Sequence, residues 1–176
     1  MTWKVKNRVD IFKNPFITLT EKQSSNLKFG EHNFYCIDFP NWVNIVPITS
    51  DNKLILVKQY RHGLEEYTLE TPGGVVDPGE SPISTARREL LEETGYEGDF
   101  VSLGKVAANP AIQNNYCHIY LVKNCMKTSN QNLDDTEDIE VVLVDMDYLN
   151  NYIETEKIVH SLSVVSILKA LNYLKK

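Results

Sequence analysis

The chain has 176 residues, with 18 Lys and Arg against 24 Asp and Glu and a formal charge of −6, which is length for one good core and short for two. No basic block is present to neutralise phosphates, so nonspecific binding to DNA, RNA or anionic lipid is excluded. No apolar run approaches the roughly 20 residues of a membrane span. The N-terminal MTWKVKNRVD has no apolar signal core, and Cys36, Cys117 and Cys125 lack ligand or redox spacing, which points to a reducing, cytoplasmic setting.

In chain order, residues 5–20 and 33–39 contain strand-like stretches around FITLT and FYCIDF, separated by a polar region over 24–30. They predict an N-terminal antiparallel strand arm covering residues 1–39. Residues 42–49 and 53–59 read as a hairpin with Asp51-Asn52 near its turn, and 68–71 as a short strand leading into Gly73-Gly74. A helix follows. Ser81 is its N-cap, Pro82 its first residue and Gly95 its left-handed C-cap, while Ile83, Ala86 and Leu90 form the stripe that holds it against a sheet. Strands are expected near 100–107, 118–123 and 140–145, with the polar run 127–138 as one long loop. A final helix over about 155–174 turns Val159, Leu162, Ile167, Leu171 and Leu174 toward the core. No repeat or low-complexity tract interrupts this order. It predicts a single α/β domain of the α+β kind over residues 1–176, with a mixed sheet and helices segregated about it.

Chemistry concentrates on the first helix. Glu89 and Glu93 lie one turn apart on one face, with Glu92 beside them. Three like charges so close repel, and a divalent cation offsets this well, because Mg²⁺ takes a few carboxylates plus waters and substrate phosphates. Mn²⁺ is the alternative ion. Paired glycines suit a place where metal and substrate approach the backbone. Arg61, at an apolar strand end, can fork onto a phosphate or pair with Glu65 or Glu66. Glu70 can reach a metal or a ribose hydroxyl. Phe39, Trp42 and Tyr35 offer stacking surfaces or core aromatics, and Gln113 and Asn114 either line a sugar or structure a loop. His62, His118 and His160 have no zinc spacing and read as structural or surface residues.

The segment 74–96 resembles the signature of the Nudix hydrolases. The pattern is Gly, five residues, Glu, seven residues, Arg-Glu, an aliphatic residue, any residue, Glu-Glu, any residue, Gly and an aliphatic or aromatic residue. Gly74, Glu80, Arg88-Glu89, Leu90, Glu92-Glu93, Gly95 and Tyr96 fill every constrained position. The stretch VKQYRHGLEEYTLETPGG (57–74) looks like the Gln-Tyr-Arg and Glu-Leu-Pro-Gly-Gly segments of ADP-ribose and nucleoside-diphosphate-sugar pyrophosphatases, with Thr71 where the second has an aliphatic residue. Asn109-Pro110-Ala111 stands where ADP-ribose-specific members often have Ser-Pro-Gly, which leaves other diphosphate sugars open.

The resemblance runs from about residue 40 to the C-terminus and implies the Nudix fold, a mixed sheet between helices. It also implies Glu89, Glu92 and Glu93 as metal ligands, joined by the backbone carbonyl of Gly73, with Arg88 paired to Glu80 to position a carboxylate. The general base implied is either Glu89 or a late-loop glutamate matching Glu137, with Asp138 and Glu140 close by. A homodimer through the N-terminal arm, with Phe39 and Trp42 near the base, completes the implied picture. The expected activity is Mg²⁺-dependent cleavage of a nucleoside diphosphate sugar such as ADP-ribose. A pool-cleaning nucleoside triphosphate pyrophosphatase and a catalytically silent nucleotide-binding regulatory domain are the alternatives.

Overall fold

The computed structural model describes residues 2–176. The chain divides into two compact units, one comprising residues up to Asn41 with Ala107–Tyr116, the other Trp42–Val106 with Cys117–Lys176.

In the first unit, β1 (Lys4–Lys13), β2 (Thr18–Asn26) and β3 (Gly30–Asp38) form an antiparallel meander in that order. The expected arm therefore has a third strand. The polar stretch 24–30 does not separate two strands: Ser24 and Ser25 pair with Val5 and Lys4 on one side and with His32 and Glu31 on the other. Apolar alternation failed as a signal because β1 is exposed along its whole length and β2 buries Thr20, Ser24 and Asn26. Turn chemistry fixes the meander. Asn14 Oδ1 accepts from the N–H groups of Phe16 and Ile17 at 2.9 and 2.8 Å, and Gly30 takes a φ of +78° after the second turn. The segment Ala107–Tyr116 belongs to this unit through the Ile37 N–H, which donates to Ile112 O at 2.7 Å.

The second unit is built on the mixed sheet that the order of elements predicts. Its strands are β4 (Trp42–Thr49), β5 (Lys53–Arg61), β6 (Glu66–Glu70), β7 (Tyr96–Val106), β8 (Cys117–Lys127) and β9 (Ile139–Asp145). The path is β6-β5-β4-β8-β7, with β9 also on β5; β4 and β8 run parallel and the other pairs antiparallel. The helices are α1 (Pro82–Thr94), α2 (Leu149–Glu154), preceded by a 3₁₀ turn, and α3 (Ser161–Leu174). The expected β4–β5 hairpin pairs at Ile48 and Leu54, beside a turn where Asn52 has φ 64°, and then splits. β4 continues along β8, and β5 between β6 and β9.

Alternation sorts the core to the two faces of this sheet. Val43, Ile45, Ile55, Tyr120 and Val122 pack with Ala86 and Leu90 of α1. Their neighbours Val46, Ile48, Leu54, Leu56 and Leu121 pack with Ile167 and Ala170 of α3. Each large side chain so buried contributes about 1.5–3 kcal/mol.

The final helix starts later than its apolar pattern suggests. α2 ends at Glu154, Glu156 takes a φ of 57°, and the N–H groups of Lys157 and Ile158 turn back to Tyr152 O. α3 begins only after His160. Val159 (48% exposed) and Leu174 (45%) thus lie outside the core, whereas Leu162 and Ile167 are inside it.

Candidate active site

Helix α1 forms where its local chemistry dictates. Ser81 Oγ accepts from the Ser84 N–H at 3.2 Å, Pro82 opens the helix, and Gly95 closes it at φ +76° with its N–H on Leu91 O. With Ala86 and Leu90 fully buried, Glu93 is carried to the edge of the core at 3% exposure. Its Oε2 accepts from the Gly73 N–H at 2.9 Å. Both glycines are required by close approach. A methyl at Gly73 would strike the Val43 carbonyl, and one at Gly74 the Glu89 carboxylate. The carbonyls of Pro72 and Gly74 accept from β4, so in this extended run the intervening Gly73 carbonyl turns the other way.

Arg88 binds the carboxylates on its side of the helix. Its Nη1 lies 2.8 Å from Glu92 Oε2 and 3.1 Å from Glu89 Oε1; its Nη2 lies 3.3 Å from Glu80 Oε2 and 3.6 Å from Asp77 Oδ2. Thr85 Oγ1 donates to the same Glu80 oxygen at 2.8 Å. The hydrogen bonds from Arg88 and Thr85 hold the Glu80 carboxyl below its usual range. Glu89 and Glu93 go the other way. Burial, reinforced by Glu92 and Glu137 and opposed by Arg88, lifts Glu89 to about 7. Burial also drives Glu93 well above the usual range, with Glu89 and Glu137 adding to it.

Among the described residues no three His, Cys, Asp or Glu side chains converge in metal-binding geometry. Arg88 draws Glu89 and Glu92 toward itself. The donor set nevertheless fits a hard divalent cation: carboxylate oxygens whose negative charge is disfavoured by burial, beside a backbone turn held open by two glycines.

Glu137 lies in the loop after β8. That loop is tied to the end of α1: Gln131 Nε2 donates to Glu93 O at 2.7 Å and to Ile139 O at 3.0 Å, and the Asn132 N–H to Glu92 O at 2.9 Å. The exposed Glu137 carboxylate, which accepts from the Asp134 N–H at 3.1 Å, contributes to the upward shifts of both Glu89 and Glu93. Its neighbours face elsewhere, Asp138 toward Tyr67 OH at 3.3 Å and Glu140 toward Lys58 Nζ at 3.4 Å.

A NUDIX domain model matches residues 39–162. The chain belongs to the Nudix family. It is 35% identical over 130 residues to the methanol dehydrogenase activator of Bacillus methanolicus, covering 73% of this chain and 70% of that protein. It is 32% identical over 126 residues to the ADP-ribose pyrophosphatase of Bacillus subtilis (strain 168), covering 69% and 67%. A crystal structure of an ADP compounds hydrolase matches 99% of this chain and 95% of its own with a TM-score of 0.88 and 24% identity, a likeness of fold.

Beside the Nudix helix, Gly73 and Gly74 form one side of a 320 Å³ cavity whose other walls include Trp42, Asn44, Arg61 and His160. Arg61 makes neither of the surface pairs open to it in sequence. Its Nε and Nη2 donate to the two oxygens of Glu70 at 2.7 and 2.6 Å. Glu70 is 1% exposed, and it also contacts Thr68 Oγ1 at 2.5 Å and His160 Nδ1 at 3.0 Å. Its carboxylate is thus engaged within the protein, not turned to open space. Phe39 and Gln113 fall in the first unit, where the Phe39 N–H donates to Asn114 Oδ1 at 3.2 Å and the Gln113 N–H to Asn109 O at 2.8 Å. The place of His160 in the cavity wall and the supporting hydrogen bonds of Thr68, Ser163 and Gln131 were not legible in the sequence. The one signal was Thr71, a hydroxyl where the related stretch has an aliphatic residue.

Glu70 gives the fold an acid-sensitive element. Burial alone would raise its pKa, but the hydrogen bonds from Arg61, His160 and Thr68 outweigh it and hold the carboxyl far below the ordinary 4.5. A depressed folded-state pKa contributes stability that is complete above the unfolded value and is lost as pH falls through the folded one. Wild type should therefore exceed Glu70→Gln in stability most at neutral pH, with the gap narrowing below about pH 4.5. Urea melts of both proteins from neutral to acidic pH check this, and a gap that widens on acidification contradicts it.

Proposed function

We propose that this protein is a Mg²⁺-dependent pyrophosphohydrolase that splits nucleoside diphosphate sugars such as ADP-ribose into a nucleoside monophosphate and a sugar phosphate. The observation that carries this is Glu89, Glu92 and Glu93 on one side of α1, beside a glycine turn that also walls the Arg61 cavity. Similarity to a named ADP-ribose pyrophosphatase supports the substrate class.

In this reading Glu89, Glu92, Glu93 and the Gly73 carbonyl hold the cation, Mg²⁺ or in its place Mn²⁺. Bound there, it supplies positive charge at the diphosphate oxygens and a Lewis acid for their displacement. Arg88 holds the carboxylates in place, and Arg61 receives a phosphate with the donors that Glu70 leaves over. Glu137 takes the proton of the attacking water. Trp42 offers a stacking face within the cavity. The test is a product-resolved panel with Mg²⁺, comparing ADP-ribose, ADP-glucose, GDP-mannose, UDP-glucose and several triphosphates. A diphosphate sugar should give the highest kcat/KM, and pyrophosphate release from triphosphates alone would contradict it.

Residues 1–176 are proposed to work as one Nudix domain in the cytoplasm and as a homodimer through the arm. No helix among the described residues is long and apolar enough to cross a membrane. Val9, Ile11, Phe12 and Phe16 are 50% or more exposed, and among the described residues β1 has an unpaired edge. Sedimentation equilibrium should give a dimer that is lost on removing residues 1–38; a monomeric full-length chain would exclude it.

A further inference from the structure

From the cavity wall inward runs a largely buried polar chain that neither substrate cleavage nor cation binding requires as such. Asn44 Nδ2, on β4, donates to Thr71 Oγ1 at 3.0 Å. Thr71 donates its own hydroxyl and its N–H to Ser163 Oγ of α3, both at 3.0 Å. Ser163 Oγ lies 2.9 Å from His160 Nδ1, and that nitrogen lies 3.0 Å from Glu70 Oε2. Glu70 ends the chain on Arg61. Thr71 is 3% exposed and Ser163 fully buried. Aliphatic side chains would fill both places without the desolvation that buried hydroxyls incur, so the hydroxyls call for a reason beyond packing.

We propose that Thr71, Ser163 and His160 are positioning residues that fix Arg61 for the substrate's diphosphate, acting through Glu70. The proposal rests on the pyrophosphohydrolase reading and adds residues to it. A free arginine side chain has many rotamers, and an anion-binding arginine works best when that freedom is already removed. Arg61 is 44% exposed in its side chain and is held by one partner, so the orientation of Glu70 sets the plane of the guanidinium. Thr68 fixes one Glu70 oxygen and His160 the other. Ser163 Oγ, placed by Thr71, lies within reach of the same Nδ1 proton that His160 gives to Glu70, and this contact orients the imidazole. Two of the five N–H groups of Arg61 are committed to Glu70, and its position in the cavity wall leaves the remaining donors for a phosphate.

The test uses the full chain with Mg²⁺ and two readouts: steady-state kinetics on ADP-ribose, and the Kd for ADP by titration calorimetry, which needs no turnover. Thr71→Val and Ser163→Ala should each raise KM and the ADP Kd by about tenfold, the scale of one buried hydrogen bond, with kcat within about twofold. His160→Leu should do the same, whereas His160→Asn, whose amide can occupy the Nδ1 position, should restore most of the affinity. In an Arg61→Ala background, Ser163→Ala should add nothing further. Unchanged affinity in Ser163→Ala and His160→Leu, additive losses in the Arg61→Ala background, or an Arg61→Ala protein with normal ADP affinity would each overturn the proposal. His160→Leu lies outside the helix and carries the test if a buried variant fails to fold. Failure of wild type to cleave any diphosphate sugar would instead sink the functional reading, while the ADP titrations would still decide the relay.

Discussion

Glu93→Gln is expected to lower Mg²⁺-dependent turnover by roughly a thousandfold, since several kcal/mol of charge stabilisation are at stake and each 1.4 kcal/mol is about tenfold. The fold should survive. Glutamine has the shape of glutamate, and its carbonyl oxygen can keep the hydrogen bond from the Gly73 N–H. At 3% exposure Glu93 is a carboxylate that burial disfavours in its charged form, so the neutral side chain is at no disadvantage when no cation is present. Thermal melts separate the two effects. Without divalent ions the variant should melt at or above the wild-type temperature; with Mg²⁺ only wild type should gain stability, by mass action. Full turnover in Glu93→Gln would remove this residue from the cation site.

Glu137→Gln should slow the chemical step by about 10²–10⁴-fold and leave KM nearly unchanged, because a general base acts in the transition state and not in binding. Stability should move by no more than about 0.5 kcal/mol, as expected for an exposed side chain. Asp138 and Glu140 are poor substitutes, since Tyr67 and Lys58 hold their carboxylates. Single-turnover rates are the measurement. A near-normal rate would move the role to Glu89.

The parts of this site that were legible in sequence are those governed by local rules. The limits of α1 follow from Ser81, Pro82 and Gly95, and its buried face from Ala86 and Leu90, because caps and helical periodicity act within a few residues. The glycine pair also announced close approach, realised against Val43 and Glu89. Long-range pairing was not legible. β4 and β5 are apolar on both faces, a pattern that suits any neighbouring strand, so their splitting onto β8, β6 and β9 could not be read from them. The third strand of the arm was hidden because its exposed sheet needs no apolar alternation. His160 was read as one more surface or structural histidine. Its role depends on Glu70, and the supporting contact between Thr71 and Ser163 joins positions 92 apart in the chain. Within VKQYRHGLEEYTLETPGG, Arg61 had Glu65 and Glu66 as nearer partners. The register of β5 and β6 sets Arg61 opposite Glu66, yet its guanidinium reaches along the sheet to both oxygens of Glu70.

The most direct measurement is a ³¹P NMR time course of ADP-ribose with the full chain and Mg²⁺. The diphosphate resonances should give way to two monophosphate signals in equal amounts, AMP and ribose 5-phosphate, and conversion should stop when the cation is chelated. An unchanged diphosphate spectrum, under conditions where the same preparation releases pyrophosphate from a nucleoside triphosphate, would contradict the account.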